Sequence, residues 1–429
     1  MGSIKIYNDK LKGKVKIPPS KSMAHRAVIC ASLSREKSII TNIDLSDDII
    51  ATINGMKALG AKIEIKDREL EITGLNLNDK FLEERVIDCN ESGSTLRFLI
   101  PIALLSDYNN RFIGRGNLGK RPLDVYYNIF KKQGINYSHK EQELDLKIKG
   151  KLNSGEFKVL GNISSQFITG LMFALPLLNG DSKIIIEGTL ESKGYIDLTL
   201  KALYDFGIDI ENKDYNEFII KGNQHYIGRE YRVEGDYSQG AFFLCADAIG
   251  NEVVCKDLDI NSLQGDREVI EILERMGVSF NKSEDEIIGM SNGLKSTIID
   301  AKGCPDIIPI LSVVASLSKG RTEIINAKRL RIKECDRLRA INLELSKLGA
   351  NIYEKEDSLI IEGISEFKGG VNVWSHKDHR IAMMLAIAAT RCKEEIILDD
   401  FECVSKSYPN FFEDFKALGG KIDEWNLGK

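Results

Sequence analysis

The stretch "KIPPSKSMAHRAVIC", Lys16 to Cys30, stops the chain with two prolines and then crowds Lys21, Ser22, His25 and Arg26 onto the head of an apolar run. Met23, Ala27, Val28 and Ala31 recur at helical spacing, and Ser20 or Ser22 stands where a side-chain oxygen can cap the first turn. Ser22 and Arg26, four residues apart, share one helix face. Free backbone amides, the positive end of the helix dipole, a lysine and an arginine together make a pocket for an anion. A capped, solvated helix start would account for the same residues, so only recurrence of the pattern along the chain separates the two.

That recurrence is present. "CNESGSTLRFLIP" leads small residues, Ser92, Gly93, Ser94 and Thr95, into an apolar helix carrying Arg97, so that backbone can come close to a ligand; a plain N-cap explains it as well. "GRGNLGKR" approaches the P-loop pattern, but Arg121 stands where the magnesium-binding hydroxyl belongs, which argues against nucleotide hydrolysis and leaves Arg121 as an anion ligand at a helix start. "GNISSQFITGLMFALPLL" opens an apolar helix with Ser164, Ser165 and Gln166, three donors for phosphate or sugar-like hydroxyls. "LRIKECDRLRAI" offers Lys333, Glu334, Asp336 and Arg337 at a helix start, with Lys333 and Arg337 spaced to share a face, although a solvated charge run reads the same way. "KDHRIAMMLAIAA" sets Asp378, His379 and Arg380 before an apolar helix, and "SKSYP" sets Lys406 beside a turn.

These segments need elements to hold them, and one phrase occurs six times: "MKALGAKI", "FKKQGINY", "LYDFGIDI", "LERMGVSF", "LSKLGANI" and "FKALGGKI". The shared glycines, Gly60, Gly134, Gly207, Gly277, Gly349 and Gly419, are 74, 73, 70, 72 and 70 residues apart. Each phrase reads as the end of an amphipathic helix closed by glycine. After five of the six the chain alternates apolar and polar, turns through charged residues, and alternates again, which predicts a hairpin. The fold class is α/β, with six repeated β/α modules packed three to a domain around shared cores.

Length agrees, since 429 residues exceed the roughly 250 to 300 over which a core stays single. A net charge of -5 with 43% hydrophobic and 29% charged residues gives no global attraction to nucleic acid or an anionic membrane, so any anion site must be local. The eight cysteines form no CxxC pair and the five histidines no HExxH, so neither zinc nor a disulfide framework is expected. The apolar run "FITGLMFALPLL" is too short to span a bilayer, and "MGSIKIYNDK" lacks the core of a signal peptide. A cytoplasmic location and reduced thiols are expected.

In order along nearly the whole chain, "PPSKSMAHR", "ESGSTLR", "KRPLD", "SSQF", "CPDIIPI", "RIKECDR", "DHRIAM" and "SKSYP" resemble the 5-enolpyruvylshikimate-3-phosphate synthase family of enolpyruvyl transferases. The resemblance implies a two-domain inside-out α/β barrel, helices inside and sheets outside. It implies a discontinuous domain of residues 1–20 plus 234–429 and an inserted domain of residues 21–233. It implies shikimate-3-phosphate and phosphoenolpyruvate as small-molecule substrates, no cofactor or metal, no nucleic-acid or membrane partner, and a monomer.

Carried over by position, the resemblance makes Lys21, Ser22, Arg26, Ser164, Ser165, Gln166, Ser192, Tyr195, Asp306, Arg329 and Lys333 ligands of shikimate-3-phosphate. Lys21, Gly93, Arg121, Gln166, Arg337, Arg380 and Lys406 fall where the family holds phosphoenolpyruvate. Two departures stand out: Glu91, where many members carry Asn or Ser, and Arg329, where some carry Asn. The implied reaction protonates the methylene carbon of phosphoenolpyruvate, adds a sugar-like hydroxyl to the cation-like carbon, and expels phosphate by breaking carbon to oxygen. Asp306 is the candidate base, Glu334 the candidate acid, and Lys21 assists proton transfer. The implied pathway leads to chorismate and aromatic amino acids, and glyphosate is the implied inhibitor. Two other readings are a transferase acting on UDP-N-acetylglucosamine, which usually has a cysteine before "RP" where this chain has none, and an inactive binder of phosphorylated sugar acids.

Overall fold

Twelve α-helices and six four-stranded sheets form among the described residues of the computed structural model, which are 2–76, 83–140, 142–191, 193–283 and 286–425. The helices are α1 (Lys21–Leu33), α2 (Asp47–Ala58), α3 (Gly93–Ala103), α4 (Asp124–Gln133), α5 (Ser165–Ala174), α6 (Lys193–Asp205), α7 (Tyr237–Ala248), α8 (Glu268–Arg275), α9 (Ile308–Ser316), α10 (Arg337–Lys347), α11 (His379–Ala389) and α12 (Phe411–Ala417). They fall into two units, one of residues 1–18 and 234–429, the other of residues 19–233.

Every sheet has one parallel pair at an edge followed by two antiparallel pairings. In four of the six the parallel strands flank one helix, as Glu156–Leu160 and Ser182–Glu187 flank α5. The six echoed glycines close the helix that precedes each hairpin, with φ between 67° and 115°, a region that a side chain would strain. In the sixth module Ile422–Trp425 is completed instead by Ser3–Ile6 from the start of the chain, which lies between it and Ile396–Asp399. Two strands also trade modules. Lys12–Lys16 precedes α1 yet pairs in parallel with Glu252–Lys256, while Glu230–Arg232 precedes α7 yet pairs with Lys37–Thr41.

Burial separates the helices into two kinds. Every residue of α7, α9 and α11 is buried, and α1, α3 and α5 are buried apart from Lys21, Ser22, Ser94 and Gln166 near their starts. Such helices are apolar all round because they form the centre of a unit, for example "HRIAMMLAIAA" in α11. The amphipathic α8 buries Val269, Ile270, Ile272 and Leu273 and leaves Glu274 and Arg275 exposed. Strands such as Lys37–Thr41 alternate a buried residue with a more exposed one, as a sheet covering a core on one face must. Among the described residues no helix is long and apolar enough to cross a membrane.

Candidate active site

Lys21, Ser22, Gly93, Ser164, Ser165, Gln166 and Arg380 sit at the N-termini of central helices, where backbone amides and the helix dipole favour anions. In the unit of residues 19–233, Ser20 caps α1 by accepting from Met23 N, and Lys21 Nζ lies 2.8 Å from Asp48 Oδ2. Arg26, 3% exposed, turns inward. Its Nε donates to Thr199 Oγ1 at 2.9 Å, Nη1 to Ser22 O at 2.7 Å and Nη2 to Tyr195 O at 2.8 Å, over the Phe98 ring. Burial lowers its pKa to about 10.

Gly93 opens α3 behind the Ser92 cap. An added Cβ there would lie 2.7 Å from Arg121 Nη1, 3.3 Å from Arg97 Nη1 and 3.6 Å from Gln166 Oε1, so these three side chains converge on the bare backbone. Arg97 donates to Gln166 Oε1 at 2.6 Å, and Gln166 Nε2 donates to Ser94 Oγ at 2.9 Å. Ser164 caps α5 and Tyr195 lies in α6; Ser192 lies outside the described residues. Arg121 is not at a helix start: it follows the short turn Leu118–Lys120, and α4 begins at Asp124 because Pro122 cannot continue the turn. The Glu91 carboxylate packs on Gly116, where an added Cβ would lie 2.7 Å from it.

In the other unit a cluster of opposite charges gathers at Asp306, just before α9. Its Oδ1 accepts from Lys333 Nζ at 3.1 Å and Arg337 Nη1 at 2.8 Å, and its Oδ2 lies 3.5 Å from Arg380 Nη2. Arg337, 1% exposed, also donates to Glu334 Oε2 at 2.7 Å and to both oxygens of Asp378 at 2.7 and 3.3 Å. Four of its five donors are thus directed to carboxylates. Arg380 donates to Ser238 O and Oγ at 3.0 and 2.9 Å. Lys406 Nζ donates to Lys377 O at 3.0 Å, and Arg329 lies in the short turn Lys328–Ile332.

Spacing misled at one place here. Lys333 and Arg337 do not share a helix face, because the backbone at Lys333 is extended and α10 begins only at Arg337. They meet through Asp306 instead. Burial alone would raise the Asp306 pKa, but Lys333, Arg380 and Arg337 outweigh it and hold the carboxyl well below the usual range. Burial lowers the Lys333 ammonium, partly offset by Asp306.

Sequence reasoning assigned no role to Arg97, Asp48, Ser238 or Asp378. Two of them had a visible signal: Arg97 is a charge inside an apolar helix, and Asp378 stands at an N-cap. Their partners lie far along the chain. A cavity of about 1030 Å³ opens at the other ends of α1, α3 and α5, lined in part by Leu33, Leu105 and Leu177, and none of the expected site residues lines it.

The family model described as EPSP synthase (3-phosphoshikimate 1-carboxyvinyltransferase) matches residues 7–415. Proteins named 3-phosphoshikimate 1-carboxyvinyltransferase from Clostridium beijerinckii and Clostridioides difficile are 66% and 67% identical to this chain, each over the full length of both. Among solved structures, EPSP synthase from Acinetobacter baumannii is similar with a TM-score of 0.83 and 25% identity, covering 99% of this chain and 100% of that one. The enolpyruvyl transferase NikO from Streptomyces tendae shares the fold, with a TM-score of 0.81 at 16% identity over 100% of both chains.

Proposed function

This chain belongs to the EPSP synthase family, and from that premise we propose which of its residues carry the reaction. It transfers the enolpyruvyl group of phosphoenolpyruvate to the 5-hydroxyl of shikimate-3-phosphate and releases phosphate. The reading that acts on UDP-N-acetylglucosamine is not favoured.

Shikimate-3-phosphate is assigned to Lys21, Ser22, Ser164, Ser165, Gln166, Tyr195, Lys333 and Arg329, with Ser192 expected beside them. Arg26 serves it chiefly by position, since its guanidinium is committed to Ser22 O, Thr199 and Tyr195 O. Phosphoenolpyruvate is assigned to Gly93, Arg121, Gln166, Arg337, Arg380, Lys406 and Lys21.

One observation carries the chemical roles: two carboxylates, Asp306 and Glu334, share the buried Arg337. Glu334 gives a proton to the methylene carbon of phosphoenolpyruvate, assisted by Lys21. The 5-hydroxyl adds to the adjoining carbon while Asp306 takes its proton; Glu334, left as a carboxylate, then takes a methyl proton as the carbon–oxygen bond breaks, which forms the enol ether and free phosphate. In the absence of substrate Asp306 is too weak a base, because three cations hold its charge. Anions bound to Arg337 and Arg380 offset those cations and raise its basicity toward the working range. The same cations neutralise the departing phosphate.

Phosphate release from the two substrates tests the reading. Lys21→Met in one unit and Arg380→Gln in the other should each lower kcat/KM for phosphoenolpyruvate by about 10² or more, as loss of a preorganised charge does. Near-normal values in either variant would remove that residue from the site. A cytoplasmic location is the accompanying proposal, supported by eight cysteines that are all free thiols; a monomer is proposed beside it.

A further inference from the structure

We propose that His376 and Glu344 are positioning residues for the phosphoenolpyruvate ligands, because together they hold the turn of residues 375–378 that locks Lys406, Arg337 and Arg380. The inference rests on the assignment of those three residues above. The turn is costly by itself: His376 and Lys377, neither of them glycine, have φ of 53° and 58° in succession. Side-chain contacts must hold such a backbone.

Glu344, on α10 and 1% exposed, accepts from three donors: His376 Nε2 at 2.9 Å, Trp374 N at 3.0 Å and Lys347 Nζ at 2.8 Å. The Trp374 ring lies over the His376 ring at 4.3 Å, and its Nε1 donates to Asp400 Oδ2 at 2.8 Å. Ser375 Oγ donates to Asp400 O at 3.1 Å and accepts from Lys377 N at 3.1 Å. The imidazole is therefore clamped between an indole and a buried carboxylate, and the strained residues follow its backbone.

What the turn delivers is specific to the site. Lys377 O accepts Lys406 Nζ at 3.0 Å; Asp378 Oδ2 accepts Arg337 Nε at 2.7 Å; Asp378 Oδ1 accepts Arg380 N at 2.9 Å. Glu344 and His376 make none of these contacts themselves, so they act through the turn.

The experiment compares His376→Ala, His376→Gln, Glu344→Gln, Lys406→Met and the His376→Ala/Lys406→Met double variant by KM for each substrate, kcat and Tm. His376→Ala and Glu344→Gln should each raise KM for phosphoenolpyruvate about tenfold, the effect of losing one hydrogen bond to a charged group. KM for shikimate-3-phosphate should stay within about twofold. Glutamine can donate to Glu344 through its own Nε2, so His376→Gln should recover most of the loss. The double variant should be worse than Lys406→Met by less than the roughly tenfold of His376→Ala alone, since part of the effect passes through Lys406 and the rest through Arg337 and Arg380. A lowered Tm with unchanged KM values, or equal rises in both KM values, would overturn the proposal. If Lys406→Met leaves KM for phosphoenolpyruvate unchanged, the assignment of Lys406 fails instead. The His376→Ala result then still decides the hold on Arg337 and Arg380.

Discussion

Replacing Gly93 by alanine adds one methyl group at the first residue of α3, and its cost can be worked from three distances. The new Cβ would lie 2.7 Å from Arg121 Nη1, against 3.3 Å from Arg97 Nη1 and 3.6 Å from Gln166 Oε1. Ordinary contact begins at about 3.5 Å, so the Arg121 guanidinium, the far end of a flexible side chain, must retreat by about 0.8 Å. A charge-assisted bond of about 2.8 Å from that guanidinium to a bound anion would stretch to roughly 3.6 Å and cease to count as one. Losing it is worth about 1.5 to 3 kcal/mol, which is about 10- to 150-fold in KM for phosphoenolpyruvate. Stability should not fall, because φ at Gly93 is not positive and alanine favours a helix more than glycine does. Phosphate release with phosphoenolpyruvate varied at saturating shikimate-3-phosphate measures the effect, with Tm as the control. A KM within twofold of the unaltered protein would refute the reasoning, since Arg121 would then yield without cost or not bind the substrate. Glyphosate should lose more affinity than phosphoenolpyruvate in the same variant.

Three further outcomes are expected. Asp306→Ala and Glu334→Gln should each lower kcat by ~10² to 10⁴, the usual contribution of a general acid or base, and Asp306→Ala should keep shikimate-3-phosphate affinity within about tenfold by calorimetry; near-normal turnover would remove the residue from the proton steps. Glu91→Asn should tighten inhibition by glyphosate, because it removes a negative charge beside the Gly116 loop; an unchanged inhibition curve would show that Glu91 is not felt at the site. Asp247 in α7 is raised to about 6, first by burial, against hydrogen bonds from the Gly289 and Val253 amides that lower it. Its folded pKa lies above the unfolded value of about 3.9, so the folded state binds more protons between the two, and stability should rise as pH falls from 7 toward 4. Relative to Asp247→Asn the gain is roughly 3 kcal/mol at most, and a stability difference flat with pH in denaturant titrations would contradict it.

Much of this molecule is local and therefore legible along the chain. The glycines that end six helices need only the φ of one residue, and the caps at Ser20, Ser92 and Ser164 need only the next two or three amides, so both show as short patterns. The same holds for the N-terminal clustering of Lys, Arg and Ser, and for the six modules, since each repeats one recipe of about seventy residues.

Tertiary packing decided which charge meets which. Asp306, Lys333, Arg337, Asp378 and Arg380 belong to the starts of α9, α10 and α11, and no periodicity relates residue 306 to residue 380. The inward turn of Arg26 onto Thr199 and Tyr195 required α6 to lie against α1, and the left-handed turn at His376 required a buried Glu344 from another helix. The strands Ser3–Ile6, Lys12–Lys16 and Glu230–Arg232 likewise found sheets that their neighbours in sequence do not share. A residue's type and spacing determine what it can donate or accept over one helical turn; its partner is chosen only when three helices and three sheets close around one core and leave each buried charge a single place to go.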